Sequence, residues 1–183
     1  MTTRLPSLHR LIAILALSAA SLSWSAARAD DDYARVQQLL QQDQTAQALQ
    51  QADDYIAAHP DDPRMRFIKA GALQAAGHAD EAEAALTQLT RDYPELAEPW
   101  NNLAVLHAAR GQIDAAKMAL DAALRIDPHY ATALENLGDI NIRLALRSYE
   151  QARKADSSAA ARLSDKIEAA RRVVDGGAPA VKP

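Results

Sequence analysis

The sequence predicts an all-α protein built from stacked helical hairpins, and three observations lead to that prediction. Hydrophobic residues make up 49% of the chain, but aromatic residues make up only 4%. Alanine and leucine dominate instead, and such side chains lose little entropy when they enter a helix. Proline recurs at a constant interval, at Pro60, Pro94 and Pro128, and a fixed period of this length is typical of a helical solenoid.

The segment 1–29 has the three zones of a secretory signal peptide. Arg4 and Arg10 form a positive head, the stretch 11–17 is almost purely apolar, and Ala27 and Ala29 are small residues at the positions that signal peptidase reads. The apolar stretch is shorter than the ~20 residues that a membrane-spanning helix needs. We therefore predict export with cleavage after Ala29 and a periplasmic location. Retention of the segment as a membrane anchor is the alternative.

Charge and cysteine content exclude several classes of function. Removal of the leader would take away three arginines and no acidic residue, which changes the formal net charge from −4 to about −7. Nucleic-acid backbones and acidic membrane surfaces attract basic proteins, so the sequence disfavours both as partners. The chain contains no cysteine, which excludes disulfide bonds, thiolate metal sites and cysteine nucleophiles.

The segment that ends at Pro128 shows the predicted hairpin most clearly. Residues at helical spacing form the packing face of a first helix, a glycine ends that helix, and a second apolar face follows. These positions are Trp100, Leu103, Ala104, Gly111, Ala116, Leu120, Ala123 and Pro128. The pattern resembles the tetratricopeptide repeat, and the resemblance implies a right-handed superhelical solenoid of helical hairpins. His107 departs from the family pattern, which has an aromatic residue at that position.

The earlier units match the pattern less completely. The second unit has Asp62 as a predicted helix cap before Pro63 and Gly77 as the predicted helix end, but it lacks the tryptophan. The first unit matches mainly in its second helix. Small residues in the second and third units are expected to let the paired helices approach closely: Ala70, Ala82, Ala104 and Ala116.

The fourth unit breaks the pattern. No glycine-bearing turn follows its first helix, and the apolar series that starts at Leu134 continues at helical spacing without a breaker. We therefore predict one long helix from about Ala131 to Ala155, followed by a helix that caps the solenoid. The predicted organisation is a signal peptide at 1–29, a repeat domain at 30–174 with units at about 31–60, 61–94, 95–128 and 129–157 and a capping helix at 158–174, and a disordered tail at 175–183.

The sequence contains no recognisable set of catalytic or metal-binding residues. No pair of histidines lies one helical turn apart with a carboxylate nearby, so no zinc site is predicted. No serine lies in a nucleophile elbow, and no glycine-rich phosphate loop occurs. We therefore predict a protein that is not an enzyme and that carries neither a metal nor a cofactor.

The resemblance implies a concave groove that is lined by the first helices and holds a peptide or protein segment. Residues outside the predicted packing faces are the candidate contacts: Arg64, Phe67, Ile68, Asn101, Asn102, Val105, Glu135, Asn136 and Asp139. Asn102 and Asn136 lie one period apart, and an amide side chain can bond both the N–H and the C=O of an extended peptide. Peptide-binding members of the family use asparagines here, which implies that role; an ordinary polar surface is the alternative.

These patterns favour a non-enzymatic protein–protein interaction module that acts as an adaptor or assembly factor in the bacterial envelope. The expected partner is another envelope protein or an extended peptide. The alternative is a structural subunit that packs permanently against a partner or against itself, as a homodimer would.

Processing of the leader is directly testable. The charged head, the short apolar core and the Ala27-x-Ala29 site predict a mature chain that begins at Asp30. The intact mass of protein isolated from the cell envelope is expected to equal that of the segment 30–183. A full-length, membrane-bound chain would contradict the prediction and favour the anchor.

Overall fold

The computed structural model describes residues 30–156, 158 and 160–175. The leader, with Ala27 and Ala29, and the tail from position 176 lie outside the described residues. The described part is helical and contains no strand: α1 (residues 30–41), α2 (Thr45–Ala58), α3 (Pro63–Ala75), α4 (Ala79–Asp92), α5 (Ala97–Ala109), α6 (Ile113–Ile126), α7 (Ala131–Ala155) and α8 (Ala160–Asp175). Within that part, no helix has the length and apolar character needed to cross a membrane. The all-α prediction is confirmed.

The chain divides into two compact units, which are larger than the four sequence repeats. The first unit extends up to Ala76 and the second begins at Gly77. The first unit contains α1, α2 and α3. The second unit contains α4 to α8.

Three residues with left-handed backbone conformation mark turns between consecutive helices. Gly77 has φ of +80° and Gly111 has φ of +72°, as the sequence predicts, and Asp43 has φ of +57°. Successive members of this set lie one period apart, and a helix begins shortly after each, at Thr45, Ala79 and Ile113. At the third turn the N–H of Gln112 donates to the carbonyl of His107 at 2.9 Å, which ties the turn to the end of α5. Aspartate is among the few non-glycine residues that adopt this conformation readily.

In the first unit, Asp62 connects all three helices. Its Oδ1 accepts hydrogen bonds from the backbone N–H groups of Arg64 (2.9 Å) and Met65 (3.3 Å), so it is the N-cap of α3 that the sequence predicts. Its Oδ2 accepts a hydrogen bond from Tyr55 of α2 at 2.9 Å and another from Tyr33 of α1. Burial alone would raise the pKa of Asp62, but the four hydrogen bonds outweigh burial and hold the pKa below its ordinary value.

The core of the second unit is built around α5, which contacts α4, α6 and α7. All residues from 101 to 106 are buried. Ala104 of α5 and Ala116 of α6 expose no surface, and both pack in one cluster with Leu120 and Ile140. The predicted small residues at the other two positions, Ala70 and Ala82, are also completely buried.

The long helix α7 is continuous over 25 residues, from Ala131 to Ala155, as predicted. One period after Gly111 the sequence has Ala145, a strong helix former, so no left-handed residue ends the helix there. The expected packing face is corrected. Leu134, the start of the apolar series, is 48% exposed, whereas Ala133, Asn136 and Ile140 are the buried residues. Because the chain does not reverse after this first helix, no second helix of the same repeat covers Leu134.

The last helix packs along α7. Leu163 and Ile167 of α8 are buried against Leu146 and Tyr149 of α7. The carboxylate of Asp156, the C-cap residue of α7, accepts a hydrogen bond from the N–H of Ser158 at 2.9 Å. The prediction that one more helix follows α7 is confirmed, since α8 spans Ala160–Asp175.

Continuity of α7 predicts a strong effect of proline. We expect Leu144→Pro to lower the free energy of unfolding by about 3 kcal/mol or more, because proline in a helix interior removes a hydrogen bond and clashes with the preceding turn. Leu144 also packs against the core of the second unit, so Leu144→Ala is the matched control for side-chain loss. Urea unfolding measures both. A proline variant as stable as the alanine variant would contradict a continuous helix.

Candidate interaction surfaces

The structure buries four of the predicted groove residues. Asn101 and Asn136 expose no surface, and Asn102 and Val105 are only 6% and 5% exposed. The expectation that these side chains face solvent is therefore wrong. The reason is that α5 is covered by helices on three sides, and the asparagines contact one another instead of water.

The buried asparagines form an amide ladder between α5 and α7. Nδ2 of Asn136 donates to Oδ1 of Asn101 at 2.8 Å, and Nδ2 of Asn101 donates to Oδ1 of Asn102 at 3.3 Å. Among the described residues, every buried side-chain nitrogen and oxygen has a hydrogen-bond partner. A polar group that is buried and paired in this way specifies how two helices align. The period showed that Asn102 and Asn136 are equivalent, but it did not show that Asn136 bonds Asn101.

The remaining predicted residues are accessible. In the first unit Arg64 is exposed and Phe67 and Ile68 are half-buried. Arg64 is already engaged, because its Nη1 lies 3.0 Å from Oδ1 of Asp30 and its guanidinium lies 4.2 Å from the ring centre of Tyr33.

In the second unit, Glu135 is exposed and Asp139 is half-buried, both on α7. They flank the buried Asn136 in the sequence, Glu135 directly before it and Asp139 about one turn after it. Of the residues predicted on the first helices, these two acidic side chains are the ones that the second unit leaves at its surface.

An apolar groove between α5 and α6 was not predicted from the sequence. It encloses about 340 Å³ and is lined mainly by Trp100, Leu103, His107, Met118, Ala122 and Arg125. Met118 is 72% exposed, which is the largest exposure among the large hydrophobic residues of the described part. A signal existed in the sequence: the positions one and two periods before Met118 hold Ala84 and Gln50, so methionine there is not part of the repeat pattern.

A second, polar groove lies along α4 and encloses about 510 Å³. Three of its charged groups form ion pairs, since Arg110 at the end of α5 bridges Asp80 and Glu83. On the neighbouring helices, Arg147 holds both carboxylate oxygens of Asp114 at 2.6 and 2.7 Å, and these bonds lower the pKa of Asp114. These charges connect helices. No group of three or more histidine, aspartate or glutamate side chains in the described ranges could hold a metal ion.

Comparisons with known proteins agree with the repeat pattern. The family model for the tetratricopeptide repeat matches residues 33–77, 69–131 and 101–144, which together span more than half of the chain. No curated protein sequence matches this chain. A structure of Naa15/Naa10 bound to HypK-THB superposes with a TM-score of 0.57 at 20% identity, covering 72% of this chain. This chain spans only 20% of that protein's length.

A second solved structure is comparable in size. The first tetratricopeptide domain of Spaghetti (RPAP3), bound to the HSP90 peptide SRMEEVD, superposes with a TM-score of 0.56 at 17% identity. The match covers 61% of this chain and 88% of that one. At these identities the likeness concerns the fold.

The amide ladder predicts that the asparagines stabilise the fold. We expect Asn101→Leu to lower the free energy of unfolding by about 1–3 kcal/mol, because it removes the acceptor of a hydrogen bond that the buried amide of Asn136 donates. The double change Asn101→Leu/Asn136→Leu should cost less than the sum of the single changes, since both polar groups are then removed. Leu103→Ala provides a core benchmark at about 2–5 kcal/mol. If Asn101→Leu changes stability by under about 0.5 kcal/mol, as a surface substitution would, the ladder is not formed.

Proposed function

Because the chain belongs to the tetratricopeptide repeat family, we propose that it is an exported, non-enzymatic interaction module that binds another protein of the bacterial envelope. It acts there as an adaptor or assembly factor. The observation that carries this proposal is the succession of repeats of one family, which the family model matches over residues 33–144. Such repeats present extended surfaces on rigid stacked helices. The similar domain of Spaghetti is itself a complex with a peptide.

Export and location are supported by the sequence alone. The leader has the charge and apolar pattern of a secretory signal, and a mature chain of about −7 charge suits a protein partner better than nucleic acid. The partner is accordingly an envelope protein that the chain meets after export.

On the first helices, only the accessible residues contact the partner. Phe67 of α3 and Asp139 of α7 are half-buried, and Arg64 and Glu135 are exposed. The buried asparagines join α5 and α7 from within and do not touch the partner. Within each of the two compact units, a partner segment that contacts the accessible first-helix residues is the binding mode that this arrangement favours.

Site-specific photo-crosslinking tests the proposal. A benzoylphenylalanine residue in place of Phe67 or Asp139, in cells that export the chain, is expected to give one discrete adduct with a second protein. The exposed turn residue Gln42 provides the matched control position and should give none. Failure of both test positions to form an adduct would contradict the proposed interaction module.

A structural subunit is the second candidate, and the exposure of Leu134 and Met118 favours it. Exposed apolar side chains on helices are typical of surfaces that pack against another chain. Crosslinked adducts with twice the chain mass, together with a concentration-dependent dimer in light scattering, would replace the adaptor by a self-associating subunit.

A further inference from the structure

The groove between α5 and α6 has the composition of a binding pocket for one apolar side chain. Trp100 and Leu103 contribute from α5, and Met118 and Ala122 contribute from α6. Its volume of about 340 Å³ lies at the small end of the range for ligand sites. Tryptophan gives a large rigid contact area, and methionine adapts its shape to different partners. The pocket therefore suits a single anchoring side chain.

The repeat does not require this apolar surface. In the first two repeats, the position of Met118 is occupied by Gln50 and Ala84. Both residues are exposed. At the position of Ala122 those repeats have Asp54 and Gln88, which are exposed and polar. Only in the third repeat do a large apolar side chain and a small one occupy these two positions together. Ala122 is buried in the core, but folding of the hairpin does not explain the exposed methionine. Exposure of a large methionine side chain is explained if a partner covers it, because exposed apolar patches are typical of interaction sites.

A cation without an ion-pair partner lies at the edge of the groove. Arg125 is exposed, lines the groove from the last turn of α6, and forms no ion pair among the residues that the structure describes. Neighbouring arginines differ, since Arg110 is paired with Asp80 and Arg147 with Asp114. In a chain with a formal net charge of −4, an unpaired arginine beside an apolar pocket is complementary to a carboxylate.

We propose that this groove binds a partner segment through one large apolar side chain with a carboxylate next to it in the sequence. Trp100 and Met118 cover the apolar side chain, and Arg125 pairs with the carboxylate, which an arginine can hold through two parallel hydrogen bonds. The inference rests on the proposed function, because it assigns the chemistry of a segment of the protein partner. It adds a contact on the α5–α6 face to those expected on the first helices.

The probe is a short peptide with blocked termini, in which one phenylalanine is flanked by two aspartates on each side. A matched peptide has lysine in place of every aspartate. Isothermal calorimetry with the full chain is expected to show binding of the aspartate peptide and at least tenfold weaker binding of the lysine peptide. We expect Met118→Gln and Arg125→Gln each to weaken binding of the aspartate peptide by about tenfold.

Matched controls separate these effects from loss of the fold. Met118 is 72% exposed, and glutamine occupies its position in the first repeat. The variant Met118→Gln should therefore leave the melting temperature unchanged. Arg91 has the position of Arg125 one period earlier, on α4 and outside this groove, and Arg91→Gln should bind the aspartate peptide as the unchanged chain does.

Three outcomes would overturn the inference: no binding of the aspartate peptide at about 1 mM, equal binding of the two peptides, or unchanged binding by the Met118 and Arg125 variants. The proposed function fails differently, through loss of crosslinked adducts at Phe67 and Asp139. If the adducts persist while the peptide does not bind, the interaction module stands and the anchoring groove does not exist.

Discussion

One helix can end and the next begin after a tight turn only where the backbone leaves the right-handed helical region, and this constraint organises the chain. Asp43, Gly77 and Gly111 meet it with φ between +57° and +80°, at equal intervals along the sequence. Most side chains with a Cβ are disfavoured in that conformation. Glycine adopts it freely, and aspartate is one of the few other residues that adopt it readily. Where the period next falls, at Ala145, the residue favours a helix, and α7 continues through the position. The location of α8 and the exposure of Leu134 both follow from that one missing turn.

Burial of the amide ladder has consequences for the surface. Asn101, Asn102 and Asn136 lie inside the second unit, where an unpaired amide would be costly and a paired one fixes how α5 and α7 align. The interior of the third and fourth repeats is thus partly polar, and this polar set is structural. The accessible residues lie on the flanks of these helices and on the face shared by α5 and α6. Met118 and Arg125 lie on that face. The repeat pattern does not require a methionine at position 118, since the earlier repeats have Gln50 and Ala84 there.

Much of the fold could be predicted from the sequence because its causes are local. Pro60, Pro94 and Pro128 set the period, Gly77 and Gly111 set the turns, and the lack of a breaker in the fourth unit predicted the long helix. Asp43 was missed because aspartate is compatible with many conformations and is left-handed here only through its context.

The candidate surfaces were less predictable because they depend on neighbouring helices. Helical spacing placed Asn102 and Val105 off the packing face of α5, but it assumed that a helix has one such face, whereas α5 is covered on three sides. The same spacing placed Leu134 on a packing face that no helix covers. The α5–α6 groove needs the relative position of two helices, although the departure of Met118 from Gln50 and Ala84 was visible in the sequence.

A distance measurement across α7 tests the turn constraint most directly. The chain has no native cysteine, so spin labels on cysteines introduced at the exposed residues Ala131 and Ala152 would be the only labels present. At about 1.5 Å per residue, a continuous helix separates the labelled backbone positions by about 32 Å with a narrow distribution. Labels at Glu98 and Arg125, across the α5–α6 hairpin, give the short reference distance, since packed helix axes lie about 8–10 Å apart. A similarly short distance between 131 and 152 would show that α7 reverses and that the missing turn does not determine the structure.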